Sequence, residues 1–550
     1  MPGPGSQLAD SVRAVRDVFR NADLRRLELA FAGAAIGRYA LFIAVSLYTY
    51  HAGGVTALAV VTVVRQACAA AVAPFAAGLS DRFRRERVML LSDLGRVACS
   101  GGIALLVWRH APHLGVYALA VAGSVAGTVF TPAESALMPE LARSPEELTA
   151  ANVSTSTFDS IGIFAGPAVG ALLVAASGYT ASFTFVAATF AWSAFFVARL
   201  APQRRDGRGS EDAEGGGLGV VAAGFRTVAG EPRLLLLFGL YFAQCFCTGC
   251  FGVFEVPMAL RLLHTGNAGV GLLESACGLG AVVGAGVSLV LLARARLGGN
   301  LALGLALWGS PLLAVAAYPR AWTAALGLGV LGAGNSVIDV AEMTLIQRTA
   351  PASVAARVFG VLESGIIVSM ALGAIVTPAL VHTLGVRGTM LAVGAVLPAL
   401  ALAAWAPLAA VDRGARVPAD QIEALRSVPF LAPLPAQSLE FLAARMRPVE
   451  LAAGTELFAR GDHGDSFYVL TAGTLAIALD EGVKEEPAPA YVGEIALLRD
   501  VPRTASVRAA TDASLWAIDR DDFLGAVTGH SRAGARADAV VLSRLGPVPA

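Results

Sequence analysis

From about residue 27 to residue 410 the chain alternates long apolar stretches with short polar breaks. A helix that crosses a bilayer needs about 20 consecutive apolar residues. Twelve stretches meet that demand, centred near residues 39, 66, 98, 125, 163, 190, 244, 281, 309, 334, 368 and 399. The pattern predicts an all-α polytopic membrane bundle. After Asp412 the period changes. Residues 413–425 are polar, and beyond them short alternating apolar runs are separated by Gly and Asp, which predicts a β-rich, water-soluble domain. The expected organisation is an amphipathic N-terminal helix within 1–26, a six-helix half over 27–200, a cytoplasmic loop over 201–232, a second six-helix half over 233–411, a linker over 412–425 and the soluble domain over 426–545. In the first of these, Leu8, Val12, Val15 and Phe19 share a face opposite Arg13, Arg16 and Arg20. Such a helix lies along the inner membrane surface or stands solvated.

Arginine placement sets the orientation. Arg13, Arg16, Arg20, Arg25 and Arg26 precede the first stretch, and Arg82, Arg84, Arg85 and Arg87 fill the break after the second. Later even-numbered breaks carry Arg143, the run Arg204–Arg208, Arg294 and Arg296, then Arg348 and Arg357, whereas odd-numbered breaks carry one arginine or none. Both termini are expected in the cytoplasm, with the chain in the plasma (inner) membrane. Only 15% of the 550 residues are charged and 56% are hydrophobic, against roughly 25% charged in a soluble domain. Basic and acidic residues balance at 41 each, so no nucleic-acid partner is expected. The six cysteines all lie in apolar stretches. Cys247 and Cys250 have a C-x-x-C spacing that no further Cys or His pair completes, so no metal is expected. No phosphate-hydrolysis loop or nucleophile elbow points to an enzyme, and no catalytic residue is expected.

The two halves repeat one another. Residues 137–178 and 344–385 share a rhythm of loop, helix and terminal Gly. Parallel repeats of this kind build transporters that rock one half against the other around a midplane site. Charges inside apolar spans are costly and mark candidate substrate or proton pathways. Arg38, Arg65 and Asp159 lie near the middle of stretches one, two and five; Asp93 and Arg96 share one helix face, and Asp339 and Glu342 another; Glu274 and Glu363 also fall within spans. Either a proton relay or structural pairing, such as Arg38 or Arg65 with Asp159, accounts for them.

The break after the second stretch reads AAGLSDRFRRERVMLL (76–91), and the fifth stretch contains GIFAGPAVGA (162–171). The first resembles the loop signature G-x-L-x-D-R-x-G-R-[RK] of the major facilitator superfamily, with Asp81 and Arg82 matching and Ala77 and Arg84 in place of its glycines. The second resembles the superfamily's exporter motif G-x-x-x-G-P-x-x-G-G through Gly162, Gly166, Pro167 and Gly170. The resemblance implies twelve spans and proton-coupled export of a small organic molecule, with Pro167 bending a helix beside a close-packed seam. The stretches TPAESALMPEL (131–141), ELTAANV (147–153) and ARVFGVL (356–362) are similar to the drug- and siderophore-exporter branch, although its fourth-helix arginine motif is not evident.

In the soluble domain, Gly454, Gly461 and Gly473 fall where tight turns would separate strands such as those around Phe467, Val469 and Leu475, and VGEIALLRDVPRTASV spans 492–507. This region resembles the cyclic-nucleotide-binding β-roll, with flanking helices, of catabolite activator proteins and kinase regulatory subunits. By that resemblance Gly493, Glu494, Ile495, Ala496, Arg503, Thr504 and Ala505 form the phosphate cassette. Arg503 would meet the cyclic phosphate, Glu494 would accept from the ribose 2′-hydroxyl, and a short helix would begin at Glu494. Residues 521–545 read as a helix, with Val540 and Leu542 packing on the roll. The expected regulatory ligand is cAMP or cGMP and no cofactor is expected; the other partners are the lipid bilayer and a transported small molecule, and a monomer suffices. The function expected is a secondary transporter adjusted by nucleotide. The alternatives are a transport-inactive membrane receptor for cAMP or cGMP and a transporter whose roll no longer binds. A cyclic-nucleotide-gated channel lacks its filter and voltage helix here, and a transcription regulator lacks room for a helix-turn-helix after the roll.

Overall fold

The computed structural model describes residues 20–142, 145–200, 230–292, 296–349, 355–414, 419–434, 436–443, 445–479 and 482–528. It parts into two compact units between Asp412 and Arg413. The regular elements among the first unit's described residues are all helices, since hydrocarbon offers a peptide group no partner and a helix satisfies its own. Its elements are α1 (Ala22–Arg82), α2 (Arg85–Trp108), α3 (His113–Gly127), α4 (Phe130–Leu141), α5 (Pro145–Val197), α6 (Pro232–Pro257), α7 (Gly266–Leu292), α8 (Leu297–Ala317), α9 (Ala321–Thr349) and α10 (Ala355–Ala403). One π-helical turn, Met258–Leu262, ends α6.

Among the described residues nine helices are long and apolar enough to cross a membrane, not the twelve expected. The difference lies at interior glycines. α1 breaks at Gly53 and Gly54, α5 at Gly178 and α10 at Gly385. Gly178 (φ 83°, ψ 176°) and Gly385 (φ 70°, ψ 173°) end the two repeated segments with nearly the same backbone turn. The helices fold back there. Ser182 donates to the Gly170 carbonyl at 3.0 Å, a pair that straight helix would hold about 18 Å apart. Cys250 and Cys247, one turn apart on α6, reach the carbonyls of Gly373 (3.4 Å) and Val393 (4.0 Å) on α10, which straight helix would separate by about 30 Å. At one end of the first half, the Tyr48 hydroxyl meets His113 Nδ1 at 2.8 Å and the Tyr179 hydroxyl meets His51 Nδ1 at 2.9 Å, tying three chain breaks together.

Close backbone approach explains the motif glycines of α5. Gly162 lies against Ala35, Gly166 against Tyr39 and Ile36, and Gly170 against Ala40, where a β-carbon would sit 2.8 Å from the Ala40 carbonyl oxygen. At Pro167, where a bend is expected, α5 keeps helical dihedrals, and Gly178 is its non-helical position. The Pro167 carbonyl instead packs on Gly271 of α7, and Gly278 packs on Ile163, which makes a seam between the two halves.

The second unit holds two four-stranded antiparallel sheets, ordered β1-β8-β3-β6 and β2-β7-β4-β5. The strands are β1 (Arg447–Leu451), β2 (Glu456–Phe458), β3 (Ser466–Ala472), β4 (Thr474–Leu479), β5 (Gly482–Pro487), β6 (Ala490–Val492), β7 (Ser506–Ala509) and β8 (Ala513–Asp519). Gly454, Gly461 and Gly473 all take positive φ (84°, 93°, 89°), as turns between these strands demand. Most of the expected 412–425 linker is helical: α11 (Trp405–Gly414) and α12 (Ala419–Ser427) leave 415–418 between them. Ala424, Leu425 and Val428 join the buried cluster of Phe430, Phe467 and Phe523 between roll and helices. Of the helix expected over 521–545, the described part is helical as Arg520–Thr528; Val540 and Leu542 lie outside the described residues, as do Leu8, Val12, Val15 and Phe19 of the expected N-terminal helix.

Replacing Gly170 by Val should lower the thermal stability of the purified protein, by about 1–3 kcal/mol of overpacking. Gly360→Ala is the control, because no atom lies within 4 Å of a β-carbon there; it should be neutral or stabilise by up to about 1 kcal/mol. Equal unfolding temperatures for the two variants would contradict the packing described.

Candidate functional site

Two sites emerge, one in each unit. In the roll, β3 pairs with β6 so that Tyr468 lies opposite Val492. That register carries Ser466 to the start of the short helix α13 (Glu494–Arg499), which begins at Glu494 as the resemblance implies. Gly493 is its N-cap, in the left-handed region at φ 93°. A β-carbon there would stand 2.5 Å from Arg503 Nη1, so glycine both allows the turn and clears the arginine.

Arg503 is 3% exposed. Its Nη1 donates to the Gly493 carbonyl at 3.2 Å and its Nη2 to the Ser466 carbonyl at 2.8 Å. The guanidinium lies 4.2 Å over the Phe458 ring, and Asp465 is 3.6 Å away. Nε is buried with no hydrogen-bond partner among the described residues. Burial pushes the Arg503 pKa down, while Tyr468, Asp465, Asp462 and Glu494 oppose that shift. Glu494 is 1% exposed, Ile495 half-buried, Ala496 buried, Ala505 buried and Thr504 exposed. Gly493, Glu494 and Arg503 therefore converge, whereas Thr504 points to solvent. Phe458, Ser466 and Asp465 also belong to the site. They come from strand register and have no signal in the cassette's own spacing.

In the membrane unit the cavity lies within the first half. It measures about 320 Å³, and Arg38, Arg65, Arg96, Ser124 and Thr131 face it together with an apolar wall that includes Phe130. Arg38 pairs with Asp159, which leaves Arg65 to donate through Nε to Ser124 at 2.8 Å. Arg96 pairs with Asp93, whose second oxygen accepts from Ser193 at 2.7 Å, and lies 4.5 Å over both Phe130 and Phe190.

The second half carries carboxyls instead. Asn335 donates to Asp339 at 2.9 Å and accepts from Gln244 at 2.8 Å. Asp339 is exposed, but Glu342, one turn on, is 1% exposed with both carboxyl oxygens unpartnered among the described residues. Glu255, which lies in an apolar run, is buried beside Glu274, and each keeps one carboxyl oxygen without a partner among the described residues. Glu363 is exposed. In the loop motif, backbone helix continues through Arg82, while the side chains of Asp81 and Arg82 lie outside the described residues. Arg85 anchors that break by donating to the Ala136 carbonyl at 2.6 Å and pairing with Glu140. Among the described residues no three His, Cys, Asp or Glu side chains converge as a metal site.

Residues 27–300 match the Major Facilitator Superfamily, and residues 448–530 match the cyclic nucleotide-binding domain. The chain is 28% identical over 343 residues to an uncharacterized MFS-type transporter, YfiS, of Bacillus subtilis, covering 59% of this chain and 78% of that one. It is 40% identical over 104 residues to the cAMP-dependent protein kinase regulatory subunit of Emericella nidulans, which is 18% of this chain and a quarter (25%) of that one. Solved structures similar to it include cAMP-bound PfPKA-R (27% identity, TM-score 0.19, 20% of this chain and 40% of that one). The regulatory domain of Toxoplasma gondii PKA with cAMP is another (24% identity, TM-score 0.21, 22% and 48%). Overlaps of that extent add no weight to the fold. The family matches do: this chain joins a Major Facilitator Superfamily membrane domain to a C-terminal cyclic nucleotide-binding domain.

Proposed function

We propose that the protein is a secondary active transporter that crosses the inner membrane twelve times, keeps both termini in the cytoplasm, and is adjusted by cAMP or cGMP bound at the roll. The crossing number follows from counting α1, α5 and α10 as hairpins. The observation that carries the regulatory half is Arg503. A guanidinium held 97% out of solvent, with an unpartnered Nε, between the Gly493 and Ser466 carbonyls and near Glu494, suits a small phosphodiester. When bound, the cyclic phosphate supplies a negative charge that offsets the burial of that cation. Gly493 keeps the approach open, and Glu494 offers a carboxylate to a ribose hydroxyl. Calorimetry on the full-length protein should show Arg503→Ala weakening cAMP binding by about thirtyfold or more, as loss of one partner of a buried charge pair costs 2–5 kcal/mol. Unchanged affinity would sink the site.

The reading of proton-coupled export draws on the Glu255–Glu274 contact. Two carboxyls make a hydrogen bond only if they hold a proton between them. The pair lies next to the α5–α7 seam, because Glu274 stands between Gly271 and Gly278. Movement along that seam changes what surrounds the shared proton, which links proton release to the relative position of the halves. In proteoliposomes, Glu274→Gln should cut transport driven by a pH gradient by about tenfold or more, while exchange of substrate without a gradient persists. Equal losses in both assays would remove the coupling role.

Regulation requires nucleotide to favour one transporter state. Saturating cAMP or cGMP should shift substrate affinity by about 5- to 150-fold, a coupling of 1–3 kcal/mol. The shift should vanish in Arg503→Ala. A shift that survives that substitution, or no shift at all, would defeat the proposed regulation.

A further inference from the structure

Hydrocarbon tolerates a guanidinium only where another group answers its charge or a polar cavity receives it. Arg38 and Arg65 of α1 and Arg96 of α2 all face one cavity in the first half. Two of them are answered within the protein, Arg38 by Asp159 and Arg96 by Asp93. Arg65 has only the Ser124 hydroxyl, and no acidic side chain among the described residues pairs with it. Two more carboxyls lie nearby. Glu28 accepts from Thr155 at 3.0 Å, and buried Glu134 has Glu28, Arg38, Asp159 and Arg96 as its charged neighbours. Neither answers Arg65.

The repeat shows that packing does not require these cations. The corresponding helices of the second half contain no basic residue between residues 234 and 254, 266 and 292, or 297 and 317. The same architecture is built there without a cation. The arginines of the first half are therefore additions to a scaffold that stands without them. Around Arg65 the cavity offers hydroxyls from Ser124, Thr128 and Thr131 and an apolar wall from Phe31, Phe130 and Phe190. Its 320 Å³ is near the lower end of the range of about 300–1,000 Å³ for small-molecule pockets.

We propose that this cavity binds a small organic anion, its carboxylate or phosphate on Arg65 and Ser124 and its one- or two-ring body against the phenylalanines. The assignment rests on the transporter reading above and names the chemical class of its substrate. Carboxylate and phosphate oxygens meet guanidinium alike, and the head group of an anionic lipid carries the same chemistry as a soluble anion.

The test uses the full-length protein in phosphatidylcholine nanodiscs and three probes of one shape: 1-naphthoate, neutral 1-naphthamide and cationic 1-naphthylmethylamine. Naphthoate should bind at least about tenfold more tightly than the other two, a charge-assisted contact being worth roughly 1.5–3 kcal/mol. Arg65→Gln should erase that preference. Arg65→Lys, which keeps the charge, should retain part of it and guards against a merely misfolded variant, as does an unchanged unfolding temperature. Equal binding of the three probes, no binding of naphthoate, or an Arg65→Gln protein that still prefers naphthoate would overturn the assignment. Nanodiscs containing phosphatidylglycerol separate the two sources. Competition with naphthoate that depends on Arg65 supports the site with lipid as an occupant, and no competition supports it with a soluble anion. Proteoliposome transport separates this proposal from the one beneath it. Arg65-dependent naphthoate binding without transport of any solute would keep the anion site and remove the transporter reading. Transport of the cationic probe at a rate that Arg65→Gln leaves unchanged would do the reverse.

Discussion

A peptide dipole or a charge in hydrocarbon can be answered only by other protein groups. The membrane unit follows from that constraint. Its described residues form helices that close their own backbone bonds, and its polar side chains come in sets. Arg38 meets Asp159, Asp93 meets Arg96 and Ser193, Asn335 meets Gln244 and Asp339, and Glu255 meets Glu274. With no water to drive apolar faces together inside the layer, helices must attract by touching closely. Glycine supplies that contact at Gly162, Gly166 and Gly170, where the neighbouring helix leaves no room for a side chain.

The soluble unit solves a related problem in water. Its roll buries one cation, Arg503, and answers it with two carbonyl oxygens, an aromatic face and a distant carboxylate, but leaves Nε over. Arg65 in the membrane unit is a second cation held with less than a full set of partners. In both places the fold leaves a guanidinium short of hydrogen-bond partners among the described residues. The two units differ in the rest of the site: backbone and short helix in the roll, hydroxyls and phenyl rings in the bundle.

Hydropathy period made most of the helices legible, because burial in lipid requires about 20 apolar residues in a row whatever the tertiary contacts. It also separated two spans within each of α1, α5 and α10, centred near 39 and 66, 163 and 190, and 368 and 399, although helix runs up to the turn glycine on both sides. Turn glycines in the roll were legible for a stronger reason: only a residue without a β-carbon takes φ near 90° easily. Partners were the hidden part. Spacing puts Asp93 and Arg96 on one face, and they pair; it puts Asp339 and Glu342 on one face too, yet one is exposed and the other buried. Helical period says which way a side chain leaves its own axis and nothing of the axis opposite. Glu255 escaped notice for that reason, as its meaning comes from Glu274 on the next helix. The polar average of α12's nine residues points to a linker, though Ala424 and Leu425 bury against the roll.

The seam between the halves has a mechanical consequence. Where Gly271 rests on the Pro167 carbonyl and the Ala171 methyl, and Gly278 on Ile163, α7 offers no side chain of its own to catch on α5. Interlocked helices move in jumps, since each knob must climb out of one hole before it drops into the next. A smooth seam has little to climb. At Gly271 and Gly278 the halves can therefore shift by small tilts with no rotamer on the α7 side to change.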